Sequence, residues 1–368
     1  MTAPSSIAGA LAAHGLPGAP ALGSAPLDEP AWADLLRILI AERLVPVVSY
    51  AVADGAFVVT DAQRVELFAA HERAMSLALV LERRLLATVG DLRAAGIDVR
   101  ALKGPAVCRL DYPDPSWRAF GDVDLLVPGA EFDAAGRVLT EHGAERRFAE
   151  VRPGFDARFG KAVTFVDPDG IQIDLHRTFA TGAFGLRVDT GALFATRDTV
   201  IVGGVEVSAL SRVHRFLHAC FHAALGDQEP RLVALRDVAQ FVLVTDLDLE
   251  AARAAARAWG AEAVVARAVR LAWDRLGLAP HAADRWAAAF VPSRREARAL
   301  AAHTSPDRSY ASQVAAGVSS VPGIAGRLAY VRALLLPDRR HLAGRDGTYR
   351  ARLRRALAAR RVARDGAA

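Results

Sequence analysis

The sequence predicts an α+β protein: a small mixed-sheet α/β core flanked by N-terminal helices and a helical C-terminal domain. Three observations point there. Short runs rich in branched residues and bounded by Gly or Pro concentrate between residues 97 and 208. Apolar residues at three- and four-residue spacing fill the stretch before them. After Leu210 the helical period is almost unbroken.

Residues 1–28 are rich in Ala, Gly, Pro and Ser and read as a flexible N-terminal segment. An N-terminal helical region over 29–95 follows. Pro30 suits a helix start, and Trp32, Leu35, Leu36 and Leu39 have helical spacing. A longer helix is expected from Asp61 to about Ala95, closed by Gly96. The α/β core is expected over 96–208. Its strands are Ile97–Leu102, Val123–Val127, Ala162–Val166 and Ile171–Leu175. A short helix at Gly104–Leu110 and a longer one at Glu131–His142 lie between them. The turn Asp167–Gly170 suits a tight hairpin, and Gly203-Gly204 suits another within Val200–Ser208. A helical domain over 209–310 carries helices at Arg212–Leu225, Arg231–Leu243, Leu249–Trp259, Ala261–Leu276 and Ser293–His303. An Arg-rich helical tail over 311–368 includes Leu328–Leu336 and Tyr349–Arg364.

The chain has 368 residues, enough for two or three packed cores. Its formal charge is +5, and its pI about 9.7. The tail accounts for the excess: from Gly326 onward there are twelve Arg, three Asp, and no Glu or Lys. A solvated helix face is the plain reading of that charge; contact with a nucleic acid or another polyanion is a second, and closure over a bound nucleotide a third. Tyr330 and Tyr349 are too few for a base-stacking platform, so nucleic acid is weakly supported. Two cysteines, Cys108 and Cys220, build neither a disulfide framework nor a cysteine zinc site. No signal peptide is evident, and the longest apolar stretch, Leu44–Thr60, is interrupted by Pro46, Asp54 and Gly55. The expected location is the cytoplasm. Gly-x-Gly-x-x-Gly, P-loop and Gly-x-Ser-x-Gly patterns are absent.

The chemistry concentrates in one segment. Lys103-Gly104 precedes Asp122-Val-Asp124, and Asp174 follows on a later strand. Alternation puts Asp122 and Asp124 on one strand face, and Asp174 with His176 on another, each opposite an apolar face. Carboxylates so close repel without a cation. Mg²⁺ takes oxygen ligands, usually a few carboxylates plus substrate phosphates. Asp122, Asp124 and Asp174 are therefore candidate metal ligands. Gly104 allows close backbone approach to a phosphate, and Lys103 and Arg118 offer cations. Lys103 is one of only two lysines; Lys161, the other, lies in an ordinary charged stretch. His214, His218 and His222 share one helix at four-residue spacing, which suits packing, a cleft wall or a metal. Asp237 is a candidate partner for one of them.

The pattern Leu102-Lys103-Gly104, Arg118 with Gly121-Asp-Val-Asp-Leu-Leu-Val127, Ile173-Asp-Leu-His176, then His218 and His222, resembles an uncharacterised bacterial branch of the nucleotidyltransferase superfamily. That superfamily includes DNA polymerase beta. The match covers roughly residues 96–240, and Leu334–Asp346 is more loosely similar to the closing region. The resemblance implies Mg²⁺- or Mn²⁺-dependent transfer of NMP from an NTP, with ATP the expected nucleotide, to an acceptor hydroxyl. It implies Asp122, Asp124 and Asp174 as catalytic metal ligands, and Lys103, Gly104, Arg118 and His176 at the nucleotide. The acceptor, a small molecule or a peptide or protein, is left open. Pro105 departs from the superfamily's Gly-Gly or Gly-Ser turn and removes one N–H from the phosphate cradle. An inert nucleotide-binding or scaffold protein is therefore one alternative. A metal-dependent nucleotide-sugar transferase is another, disfavoured by the helical region before residue 96.

Overall fold

A computed structural model describes residues 4–306, 308–339 and 341. The expected helix Tyr349–Arg364 and most of the Leu334–Asp346 segment beyond Arg339 lie outside the described residues.

Helices α1 (Pro4–Ala12), α2 (Glu29–Ala41), α3 (Val45–Ala53) and α4 (Asp61–Ala94) precede the sheet. Strands β1 (Arg100–Ala101), β2 (Val123–Leu126), β3 (Glu145–Arg146), β4 (Ala162–Val166), β5 (Gln172–His176), β6 (Asp198–Val202) and β7 (Val205–Ala209) form it. Helices α5 (Pro105–Asp111), α6 (Phe132–Glu141), α7 (Phe155–Phe159), α8 (Gly182–Gly185) and α9 (Thr190–Ala195) lie among them. Then come α10 (Arg212–Leu225), α11 (Leu232–Leu243), α12 (Leu249–Ala258), α13 (Glu262–Leu276), α14 (Ala282–Ala289), α15 (Arg294–Thr304), α16 (Tyr310–Ala316) and α17 (Ile324–Leu335). No helix among the described residues is long and apolar enough to cross a membrane.

The sheet has seven strands in the order β3-β4-β5-β2-β1-β7-β6. β2 runs parallel to β5 and β1 parallel to β7; the other pairs are antiparallel. The α+β expectation thus holds, with a mixed sheet at its centre. Residues Ala101, Val123, Leu125, Val163, Ile173 and Leu175 face one core together with Leu81, Leu85 and Leu92 of α4 and Phe132 and Leu139 of α6. The opposite face carries Asp124, Thr164, Asp174 and His176 toward the helical side.

α4 shows why the two halves cohere. Thr60 and Gln63 form a reciprocal capping box at its start. Gly96, at φ 75°, ends it, with Ile97 N–H donating to Leu92 O at 3.0 Å. Early residues Leu67 and Ala70 belong to the helical core, later ones to the sheet core. The β6–β7 hairpin turns through Gly203 and Gly204, both with positive φ, as a two-residue turn of primed type requires.

Two expectations need correction. Residues 1–28 are not simply a flexible lead-in. Ala8, Leu11, Ala12, Ala13 and Leu16 are buried in the same core as α10, α11 and α13. Arg236 of α11 donates to the Ala12 and His14 carbonyls, which ties this segment down. Small residues let α1 lie close: a Cβ on Gly9 would meet the Arg275 carbonyl oxygen at 2.2 Å. The strand expected at Ile97–Leu102 shrinks to Arg100–Ala101, because Ile97 N–H still serves the α4 cap.

Candidate active site

The acidic residues are brought together by strand register. In the parallel β2–β5 pair, Asp124 lies directly opposite Asp174, and Leu126 opposite His176. Thr164 of β4 is the next partner of Asp174 across the ladder. Its Oγ1 donates to Asp174 Oδ1 at 2.6 Å, and Gln172 Nε2 donates to Oδ2 at 3.1 Å. Leu102 N–H donates to the Asp124 carbonyl, which places Lys103 at the end of β1 beside the same carboxylate.

Asp124 is the electrostatic centre. Lys103 Nζ lies 3.0 Å from its Oδ2 and His176 Nε2 2.9 Å from its Oδ1. Burial would raise its pKa, but Lys103 and His176 outweigh that and hold it well below the usual carboxylate range. Burial would lower the Lys103 pKa; Asp124 and Asp122 reverse this and raise it. Asp122 goes the other way. Burial first, then the Asp124 charge, pushes it up, against the opposing pull of Lys103 and Arg43.

Asp124, Asp174 and His176 each present a donor atom within 4.8 Å of the others, close enough to share one ion. Two carboxylates and an imidazole fit a divalent cation. Asp122 stands just before β2 in the same cavity; its nearest ion partner is Arg43 Nη1 at 3.9 Å. The compact donor group therefore contains His176 in the place expected for Asp122. A cavity of about 410 Å³ opens above these residues. Lys103, Gly104, Arg118, Asp122, Asp124, Asp174 and His176 all line it, together with Arg43 and Arg231.

Arg118 reaches the cavity but is largely committed elsewhere. Its Nε and Nη2 donate to the two Asp237 carboxylate oxygens, each at 2.7 Å. Tyr112 OH donates to the same carboxylate at 2.8 Å. Asp237 thus partners Arg118 and not the α10 histidines. Only the Arg118 Nη1 is left without a partner. Gly104 adopts φ 51° and ψ −120°, and an added Cβ would press on Phe120 at 3.3 Å. Pro105 takes the first position of α5, where its missing N–H costs the helix nothing.

Arg43 and Arg231 carry no motif and were not singled out from the sequence. Arg43 has φ 58° and is the only described non-glycine residue with positive φ. Gly121 leaves room for it, since a Cβ there would meet Arg43 Nη2 at 2.7 Å. Lys161, in a stretch that reads as ordinary and charged, lines the same cavity as Lys103. The signal that marked Lys103, the scarcity of lysine, applied equally to it. Of the three α10 histidines, His222 lines the cavity. His218 is buried against Phe179 and His176. His214 stacks on Trp259 and takes no part. None belongs to a described three-donor metal group.

A family model described as "Uncharacterised nucleotidyltransferase" matches residues 28–277. The chain belongs to this family. The match spans every residue of the cleft. No curated protein matches the chain. Among solved structures, an antigenic nucleotidyltransferase-like protein from Paracoccidioides brasiliensis is 16% identical with a TM-score of 0.29. That alignment covers 50% of this chain and 93% of the other.

Proposed function

We propose that the cleft transfers an NMP from an NTP, with ATP as the first candidate, to an acceptor hydroxyl. The observation that carries this is the register of Asp124 against Asp174, with His176 within ion-sharing distance, under a cavity walled by Arg43, Lys103 and Arg231. Asp124, Asp174 and His176, with Asp122 alongside, would hold Mg²⁺ or Mn²⁺. When bound, that ion offsets negative charge at the reacting phosphate.

The chain's own residues do the rest. Arg43, Arg231 and Lys103 hold the triphosphate, and the free Arg118 Nη1 adds a donor. Asp174, fixed by Thr164 and Gln172, takes the hydroxyl proton. The acceptor oxygen forms a bond to the α-phosphorus as the bond to pyrophosphate breaks, and pyrophosphate leaves.

One observation favours the rival reading of a nucleotide-binding module without turnover: the Lys103 ammonium already neutralises Asp124. Calorimetry with NTP and Mg²⁺, followed by a pyrophosphate-release assay, separates the two. Asp124→Ala and Asp122→Ala are expected to abolish release with the fold intact. Undiminished release in both variants would overturn the transfer reading, and binding without release in the native protein would establish the rival.

A further inference from the structure

Next to the acidic group, a second and smaller recess of about 120 Å³ opens between the β5 end and α10. No Asp or Glu lines it. Lys103, Lys161, His218, His222 and His303 do, over a floor that includes Phe179. Both lysines of the chain therefore meet in one small volume. The main-chain carbonyl of Lys161 accepts from Arg177 N–H at 2.8 Å, which fixes it beside β5. Its ammonium forms no ion pair among the described residues.

His303 of α15 is 2% exposed, and its ring packs on Phe184. It lies against the backbone at Thr181 and Leu225, but neither ring nitrogen reaches hydrogen-bonding geometry. Buried polar nitrogens without partners are costly and uncommon in native proteins. The His303 ring lines the recess from α15, His218 and His222 line it from α10, and Lys103, paired with Asp124 at 3.0 Å, and Lys161 line it from the sheet side. Arg43, Arg118, Arg231 and Asp122 line the larger cavity but not this recess.

We propose that the recess binds a phosphate monoester carried by the acceptor. Donors arriving from three elements suit a group with three terminal oxygens better than a planar carboxylate with two. The recess shares Lys103, Lys161, His176 and His222 with the larger cavity, so an anion held there places the rest of its molecule toward Asp174. The assignment of this ligand as the acceptor rests on the transfer reading; the binding of the anion does not.

The test titrates inorganic phosphate into the full chain by calorimetry, without divalent metal, with and without a saturating non-hydrolysable NTP analogue. Saturable binding is expected, weakened but not excluded by the analogue, because both anions draw on Lys103. Lys161→Met is expected to weaken it at least tenfold. His303→Asn serves as the second variant should Lys161→Met fail to fold. A sugar phosphate and phosphoserine are then tried as competitors, and displacement by either supports a phosphomonoester and names its source. No saturable binding, full binding in the folded variant, exclusion by the NTP analogue, or displacement by neither competitor would each overturn the proposal. Phosphate binding with no NTP turnover would instead fault the transfer reading alone.

Discussion

Removing the Asp237 charge is expected to loosen the protein at the seam between its sheet and its helical half. Arg118 and Asp237 lie 119 residues apart in sequence and form a bidentate pair with both bonds at 2.7 Å. Each is 6% exposed. Burial would lower the Arg118 pKa, but Asp237 outweighs it and keeps the guanidinium charged. In Asp237→Asn the cation stays buried with no counter-charge, and its Nη1 already lacks a partner. Breaking such a pair from one side costs about 3–5 kcal/mol. At roughly 2–4 °C per kcal/mol for a domain of 150–250 residues, the midpoint should fall by roughly 6–20 °C. Circular dichroism during heating measures this. The double variant Arg118→Met, Asp237→Leu removes both charges and should regain part of the loss, because an apolar pair avoids the desolvation cost while the Tyr112 hydroxyl loses its acceptor. A single variant within about 0.5 kcal/mol of the parent, the scatter of an ordinary surface change, would refute the reasoning. So would a double variant no better than the single.

Further outcomes follow from the same geometry. Thr164→Val removes the 2.6 Å bond that orients Asp174 and should lower kcat by about tenfold, roughly 1.4 kcal/mol of barrier, with little change in melting temperature; an unchanged kcat would separate Thr164 from the chemistry. Burial lowers the His303 pKa from 6.5 to about 4, so the unfolded chain takes up a proton the native state refuses, and stability falls as pH drops from 6.5 toward 4. In phosphate-free buffer His303→Phe should flatten that fall by at most about 3 kcal/mol at pH 4, read from urea midpoints across the window. Cys108 and Cys220 are 1% and 0% exposed, and burial pushes the Cys108 thiol up to about 11. A chromogenic disulfide reagent should therefore label neither in the native protein and both in urea; rapid native labelling would contradict this packing.

Much of the fold was legible because local chemistry dictates it. Gly96 marks the end of α4 by its positive φ, and the start expected at Asp61 holds because Thr60 caps it. Gly203-Gly204 marks a hairpin, and the alternation in β2 and β5 separates polar from apolar faces. α1 escaped notice because Ala- and Gly-rich composition resembles a linker until a partner surface is present. Small side chains are what let α1 lie against α13. α3 was hidden inside an apolar stretch, Val45–Ala53, that has no clear polar face because seven of its residues are buried. The tail helix expected beyond residue 341 falls outside the described residues.

The site divides along the same line. By itself the sequence determined that Asp124 and Asp174 lie on strand faces opposite apolar ones, that Lys103 and Gly104 stand beside them, and that the pattern is that of a nucleotidyltransferase family. Period-two alternation and turn chemistry are local properties, so a single chain displays them. Tertiary structure alone decided the partners. It set Asp124 against Asp174 by parallel register, put His176 into the compact donor group, and committed Arg118 to Asp237. It also carried Arg43, Arg231 and Lys161 into the cleft from distant segments. Which charges neutralise one another depends on distances across the packed core, and no spacing along the chain encodes those distances.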